Sequence, residues 1–186
     1  MLSSMNHEIL LALYSLATSS ALASGIVIFF AEWFPFLIVA SIVLYKFLTT
    51  EKEGEILRVL VRTAIPSLIV WVIVAFIKNI FPSPRPFADD LGITPLISVA
   101  DSFGAFPSAH AAIFGSLAGT MFANHVRVGK WYLLGAIAIA IARVAAGVHW
   151  PGDVLAGILF GLLLGFGITK IIFAEKKSLT VQAKNI

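Results

Sequence analysis

The sequence predicts an all-α integral membrane protein: a six-helix bundle forming one domain over residues 1–186. Three observations carry that prediction. Of the 186 residues, 59% are apolar and 12% charged, against roughly 45–50% and 25% in soluble domains. The apolar residues gather in six runs, approximately 9–31, 34–49, 57–80, 106–124, 130–149 and 152–173, where a spanning helix needs about 20 residues. The basic residues fall in short segments between the runs, a pattern of membrane topology rather than nucleic-acid binding.

Each run has its own signals. The first holds Ala21-Leu22-Ala23, which looks like a leader cleavage site. No Lys or Arg precedes it in residues 1–8, as a signal peptide requires, so the run is expected to stay as a span. A short turn at Glu32-Trp33 leads into the second, which starts with Pro35 in a first turn, and Lys46 is placed to snorkel to the surface. Pro66 is expected to kink the third. The fourth and fifth are short and rich in Gly and Ala. Between the third and fourth lies a loop, 81–105, stiffened by Pro82, Pro84, Pro86 and Pro95; connections beyond about 12–15 residues are often functional. Trp33, Phe81, Phe87 and Trp150 are placed as interfacial anchors. There is no cysteine, hence no disulfide and no thiolate metal site.

Charge fixes the orientation. With six spans, Lys46, Lys52, Arg58, Arg62, Arg127, Lys130, Lys170, Lys176, Lys177 and Lys184 share one side with both termini. The positive-inside rule makes that side cytoplasmic and places the protein in the cell (inner) membrane with its site facing outward or periplasmic. Of the 13 Lys and Arg, only Lys78, Arg85 and Arg143 lie on the other side.

Those cations belong to three polar islands. Lys78 to Pro86 offers a compact ammonium and a planar guanidinium fork, both suited to phosphate oxygens; anchoring to lipid headgroups is the alternative. Phe106-Pro107-Ser108-Ala109-His110 places a hydroxyl and an imidazole at a helix start, where free N–H groups favour an anion; a plain serine cap is the alternative. Arg143 to Asp153 places a costly charge inside the fifth run, unless it snorkels, with His149 ending that helix. Asp153 could orient the His149 imidazole or merely cap the sixth helix. Together the islands suit a phosphate, and two imidazoles suit covalent transfer, one attacking and one protonating the leaving oxygen. No carboxylate or Cys/His cluster offers a metal site, so neither metal nor cofactor is expected. Asp89, Asp90 and Asp101 are expected to solvate the loop or balance the cations.

The islands resemble the motifs of the type 2 phosphatidic acid phosphatases, which share a site with vanadium haloperoxidases. Lys78 and Arg85-Pro86 are separated by six residues, then come Pro107-Ser108-Ala109-His110 and Ala142-Arg143, with five residues between Arg143 and His149 and three between His149 and Asp153. Ala109 stands where that pattern has Gly, and Ala142 where it has Ser. The resemblance implies that His149 attacks phosphorus, Asp153 orients it and His110 protonates the leaving group. It also implies that Lys78, Arg85, Ser108, Arg143 and the backbone at Ala109 hold the phosphate. The short six-span chain further resembles bacterial undecaprenyl-diphosphate phosphatases, which implies a lipid-carrier diphosphate as substrate. Phosphatidylglycerophosphate, phosphatidic acid, diacylglycerol diphosphate or a lipid A phosphate are alternatives in the same class. An anion transporter is the alternative from another class; the absence of two related halves with paired interrupted helices speaks against it. The intact His149, Asp153 and His110 speak against an inactive lipid-binding relative.

Overall fold

A segment without water to bond its backbone must satisfy it internally, and helices do so. The computed structural model describes residues 2–49, 54–89, 91–124 and 127–173. Their helices are α1 (Leu2–Ala17), α2 (Ala21–Ile28), α3 (Phe34–Thr49), α4 (Glu55–Ile80), α5 (Ala109–Ala123), α6 (Gly129–Ala145) and α7 (Pro151–Ile172). A π turn, Phe29–Trp33, joins α2 to α3, and a 3₁₀ turn, Pro86–Ala88, lies in the long loop. No strand occurs among the described residues, only an isolated bridge between Pro84 and Phe103. Ala21–Leu44, Leu57–Ile80 and Pro151–Ile172 are long and apolar enough to cross a membrane, and α5 is a shorter apolar helix. The Lys46 side chain, Lys52, Asp90 and the tail lysines Lys176, Lys177 and Lys184 lie outside the described residues.

The run at 9–31 is not one helix, which corrects the first predicted span. It breaks at Thr18–Ser20, where hydroxyls compete for backbone groups. Thr18 Oγ1 donates to Tyr14 O at 2.9 Å and Ser19 Oγ to Leu16 O at 2.8 Å. Ser20 then caps α2, its Oγ accepting from Ala23 N at 3.2 Å. Ala21-Leu22-Ala23 is therefore a helix start, and the helix continues past the predicted turn at Glu32–Trp33 into α3.

Helix α1 packs across one end of the bundle. Near its start, Asn6 Oδ1 accepts from Gly152 N at 3.1 Å. Near its end, Tyr14 Oη donates to Thr94 O at 2.9 Å. Between them Leu10 is buried with Ile93, Ala140, Val144 and Val154. At the far end of α7, Phe173 lies under the Arg62 guanidinium, 5.7 Å from its ring centre. The described chain thus begins and finishes at opposite ends of the bundle.

Helix α6 stops at Ala145, four residues before the predicted end. Gly147 takes φ +76°, a left-handed conformation that glycine adopts without a Cβ penalty. Gly147 N donates to Val144 O at 2.9 Å and Val148 N to Arg143 O at 3.3 Å, the paired bonds of a Schellman termination. Arg143 is therefore in the last turn of α6, and His149 lies in the connection to α7 rather than on a helix. Helix α5 begins at Ala109, later than the predicted 106, because Phe106 to Ser108 forms the turn leading into it.

The tightest packing is between α5 and α7. Gly157, Gly161 and Gly165 of α7, spaced four apart on one face, bring its backbone against α5. A Cβ at these positions would lie 2.7 Å from Ser108 O, 2.0 Å from Ala112 O and 2.3 Å from Ser116 O. Gly115 and Gly119 of α5 reciprocate against Ile158 O and Leu162 O at 2.6 and 2.2 Å. This contact sets the start of α5 beside the start of α7.

Candidate active site

Three helix ends and one loop converge where α4 stops, α5 starts and α6 turns into α7. Lys78 is in the last turn of α4, where a cation faces the negative end of the helix dipole; its Nζ donates to Gly104 O. The loop after α4 folds back on itself, Arg85 N donating to Ser102 O and Ala105 N to Ser83 O, both at 3.0 Å. A third bond, Leu96 N to Ala146 O at 3.0 Å, pins it to the end of α6. These bonds deliver the Arg85 side chain into the bundle.

Arg85 is the hub of the polar network. Its Nε and Nη2 donate to Asp101 Oδ1 at 3.1 and 3.0 Å, and Nε also to Asp101 O at 3.0 Å. Its Nη1 donates to Val148 O at 3.0 Å and to His149 Nε2 at 3.3 Å. A guanidinium only donates. His149 Nε2 is therefore the acceptor, which assigns the ring proton to Nδ1. That Nδ1 stands 3.7 Å from Asp153 Oδ2, too far for a formed hydrogen bond. Asp153 Oδ2 also accepts from Trp150 N at 2.8 Å, so the carboxylate caps α7 and faces His149 at once.

Burial makes these groups matter electrostatically. Arg85, Ser108, Arg143, His149 and Asp153 are all 7% exposed or less. Buried polar atoms nearly always find partners, yet Ser108 Oγ, Arg143 Nε and His149 Nδ1 have none. Ser108 occupies the N-cap position of α5 without capping through its side chain. That leaves a hydroxyl and a guanidinium N–H without bonds within one site, donors suited to an oxyanion, and an imidazole Nδ1 that faces only Asp153.

A cavity of about 850 Å³ exposes the site, lined by Lys78, Arg85, Ala109, His110, Arg143 and His149 on its polar side. Pro35, Phe36 and Val39 of α3 with Ile113 and Phe114 of α5 line its apolar side. Ser108 and Asp153 lie behind this wall: Ser108 is fully buried, and Asp153 lines a neighbouring pocket with Ser83, Pro84 and Phe106. The structure thus brings all eight sequence-predicted site residues together, six on the cavity surface and two beneath it. Among the described residues, no three His, Asp or Glu side chains cluster as a metal site would require.

Two participants were not singled out from sequence. Asp101, grouped there with the loop acids, is the direct partner of Arg85, whereas exposed Asp89 is not in the cavity wall. Glu32, assigned to a turn, lines the cavity from the π turn. The sequence signal for Glu32 was an acid inside an apolar stretch, which is costly without a polar cavity or a partner.

Comparison with known proteins places this geometry. A family model described as the PAP2 superfamily matches residues 55–177, the span that carries every predicted site residue. The chain is 29% identical over 162 residues to a Bacillus licheniformis protein named bacitracin transport permease protein BcrC, covering 87% of this chain and 77% of that one. It is 29% identical over 157 residues to a Sulfolobus acidocaldarius undecaprenyl-diphosphatase, covering 78% and 69%. The crystal structure of Aquifex aeolicus LpxE superposes with a TM-score of 0.64 at 24% identity, covering 86% of this chain and 93% of that one.

Proposed function

Because the chain belongs to the PAP2 superfamily, we propose that it hydrolyses undecaprenyl diphosphate to undecaprenyl phosphate and inorganic phosphate through a phosphohistidine at His149. It is a phosphatase that acts on membrane lipids. The name of the Sulfolobus relative supports the diphosphate as substrate. The observation that carries the mechanism is the buried donor set: Ser108 Oγ and Arg143 Nε, both without partners, beside an imidazole whose Nε2 lone pair faces Arg85.

In this reading the terminal phosphate enters among Lys78, Arg85, Ser108, Arg143 and the Ala109 backbone. His149 Nε2 attacks phosphorus as the phosphoanhydride bond breaks. His110 gives its proton to the departing lipid phosphate. Charge grows on the His149 ring, and its Nδ1–H closes on Asp153, catalytic hydrogen bonds often tightening only in the complex. Water then attacks the phosphohistidine, His110 takes one of its protons, and phosphate leaves. No step calls for a metal. The apolar wall of Pro35, Phe36, Val39, Ile113 and Phe114 receives the first part of the lipid tail.

Residues 1–186 form one catalytic domain in the cell membrane. Arg58, Arg62, Arg127, Lys130 and Lys170 belong to the end of the bundle opposite Lys78, Arg85 and Arg143, which supports a cytoplasmic face there and an outward-facing site. With α1 at the site end, the N-terminus joins the outward face. The transporter reading has less support, because the charged and imidazole groups gather at one end rather than along a path.

The test is a set of lipid phosphates assayed side by side with purified protein in detergent. Undecaprenyl diphosphate should be the preferred substrate, with EDTA leaving the rate unchanged and orthovanadate inhibiting. Preference for a phosphomonoester would replace the substrate, and abolition by EDTA would remove the metal-free mechanism.

A further inference from the structure

Two of the three cations of the cavity are held by acceptors of the protein's own, and the surroundings of the third, Arg143, have a consequence for product release that rests on the phosphatase reading above. Arg85 holds Asp101 at 3.0 Å, and Lys78 holds the Gly104 carbonyl. Arg143 is buried with its Nε unpartnered; of the two acids that line its cavity, Asp101 is held by Arg85, and Glu32 is the other. Glu32 lines the same cavity as Lys78, Arg85, His110, Arg143 and His149. It sits in the π turn Phe29–Trp33, and such turns inside helices occur frequently at functional sites. Ala31, beside it, is fully buried against Ala142, Ala146 and Val148, which holds the π turn against the end of α6 that carries Arg143.

We propose that Glu32 is a charge-balancing residue that competes with phosphate for Arg143 and thereby speeds release of inorganic phosphate. Bound phosphate and the carboxylate are like charges sharing one cavity, so each weakens the other. As phosphate departs, Glu32 supplies the negative charge that Arg143 loses. Glu32 acts through Arg143 and takes no part in bond making. Like charges across a cavity of this size weaken binding by about three- to tenfold.

The experiment measures product inhibition by inorganic phosphate for the wild type, Glu32→Gln, Glu32→Ala and Glu32→Asp, all in detergent. The inhibition constant should fall about three- to tenfold in both neutral variants and stay near the wild-type value in Glu32→Asp. Damage to the fold loosens phosphate binding, so tightening is a readout that a merely structural role does not produce. An unchanged or raised constant in the neutral variants overturns the proposal. If the wild type hydrolyses lipid phosphates and the constant does not move, only the role of Glu32 fails. If the wild type releases no phosphate, the phosphatase reading fails, and calorimetric binding of inorganic phosphate to the same variants decides the role of Glu32.

Discussion

Replacing Gly161 with alanine separates the two helices that set the site. A methyl group at this position would stand 2.0 Å from Ala112 O, 2.8 Å from Ala112 C and 2.8 Å from Ser116 N, where ordinary van der Waals contact begins at 3.4 Å. All three obstacles are backbone atoms of α5, so no side chain can rotate aside, and the helices must part by roughly 1 Å. Overpacking of this kind costs about 1–3 kcal/mol. The shift also reaches the chemistry. Ser108 and His110 ride on the start of α5, and Asp153 on the first turn of α7. A misplacement of about 1 Å can cost about 10²-fold in rate. Gly167→Ala is the control, since nothing lies within 4 Å of its Cβ position and alanine is favoured over glycine in a helix by about 1 kcal/mol. Thermal unfolding followed by intrinsic fluorescence, with initial rates of phosphate release, reads both effects. Gly161→Ala should melt lower and lose about 10- to 100-fold in kcat, while Gly167→Ala should be as active as wild type and no less stable. A Gly161→Ala protein with wild-type melting and wild-type rate would refute the role given to this contact.

Other substitutions separate the site residues by function. Ser108→Ala removes a hydroxyl that bonds to nothing, so the melting temperature should hold while KM rises about three- to tenfold, the worth of one hydrogen bond; a lower melting temperature at unchanged KM would make the serine structural. Asp153→Asn keeps the shape but not the charge facing His149 Nδ1, and kcat should fall by about 10²–10⁴-fold in steady-state assays; a loss confined to KM would contradict its orienting role. Arg85→Lys cannot reproduce the fork that spans Asp101, Val148 O and His149 Nε2, and kcat/KM should drop by at least about tenfold, whereas wild-type kinetics would show that a point charge suffices. His110→Ala should lose less activity on substrates with good leaving groups, and equal losses across a leaving-group series would count against its acid role.

Composition made the helical class legible, and the runs 57–80 and 152–173, with the end of 34–49, were placed to within a few residues because charged or proline-rich segments bound them. The first run misled because apolarity alone does not show where a helix breaks. Thr18-Ser19-Ser20 ends α1 through local hydroxyl bonds, and Ser20 was readable as a cap for the helix that follows. Pro35 and Glu32 suggested a break instead, but the π turn carries the helix past both. His149 was placed on a helix although Gly147, two residues before it, is a standard stop signal. The site residues were legible as three islands with fixed spacing. What brings them together was less so: the spacing of Gly157, Gly161 and Gly165 is visible in the sequence, but the facing carbonyls of α5 are not. Asp101 could not be told from Asp89 by sequence, because the pairing depends on how the loop folds back at Pro84 and Phe103.

The central claim is that His149 takes a phosphoryl group from undecaprenyl diphosphate. The most direct measurement mixes enzyme with undecaprenyl diphosphate radiolabelled in its terminal phosphate, quenches in alkali within one turnover, and maps the label by peptide sequencing. The account predicts alkali-stable, acid-labile label on His149 at early times, absent from His149→Ala. Burst release of labelled phosphate with no protein-bound label, or label on another residue, would contradict it.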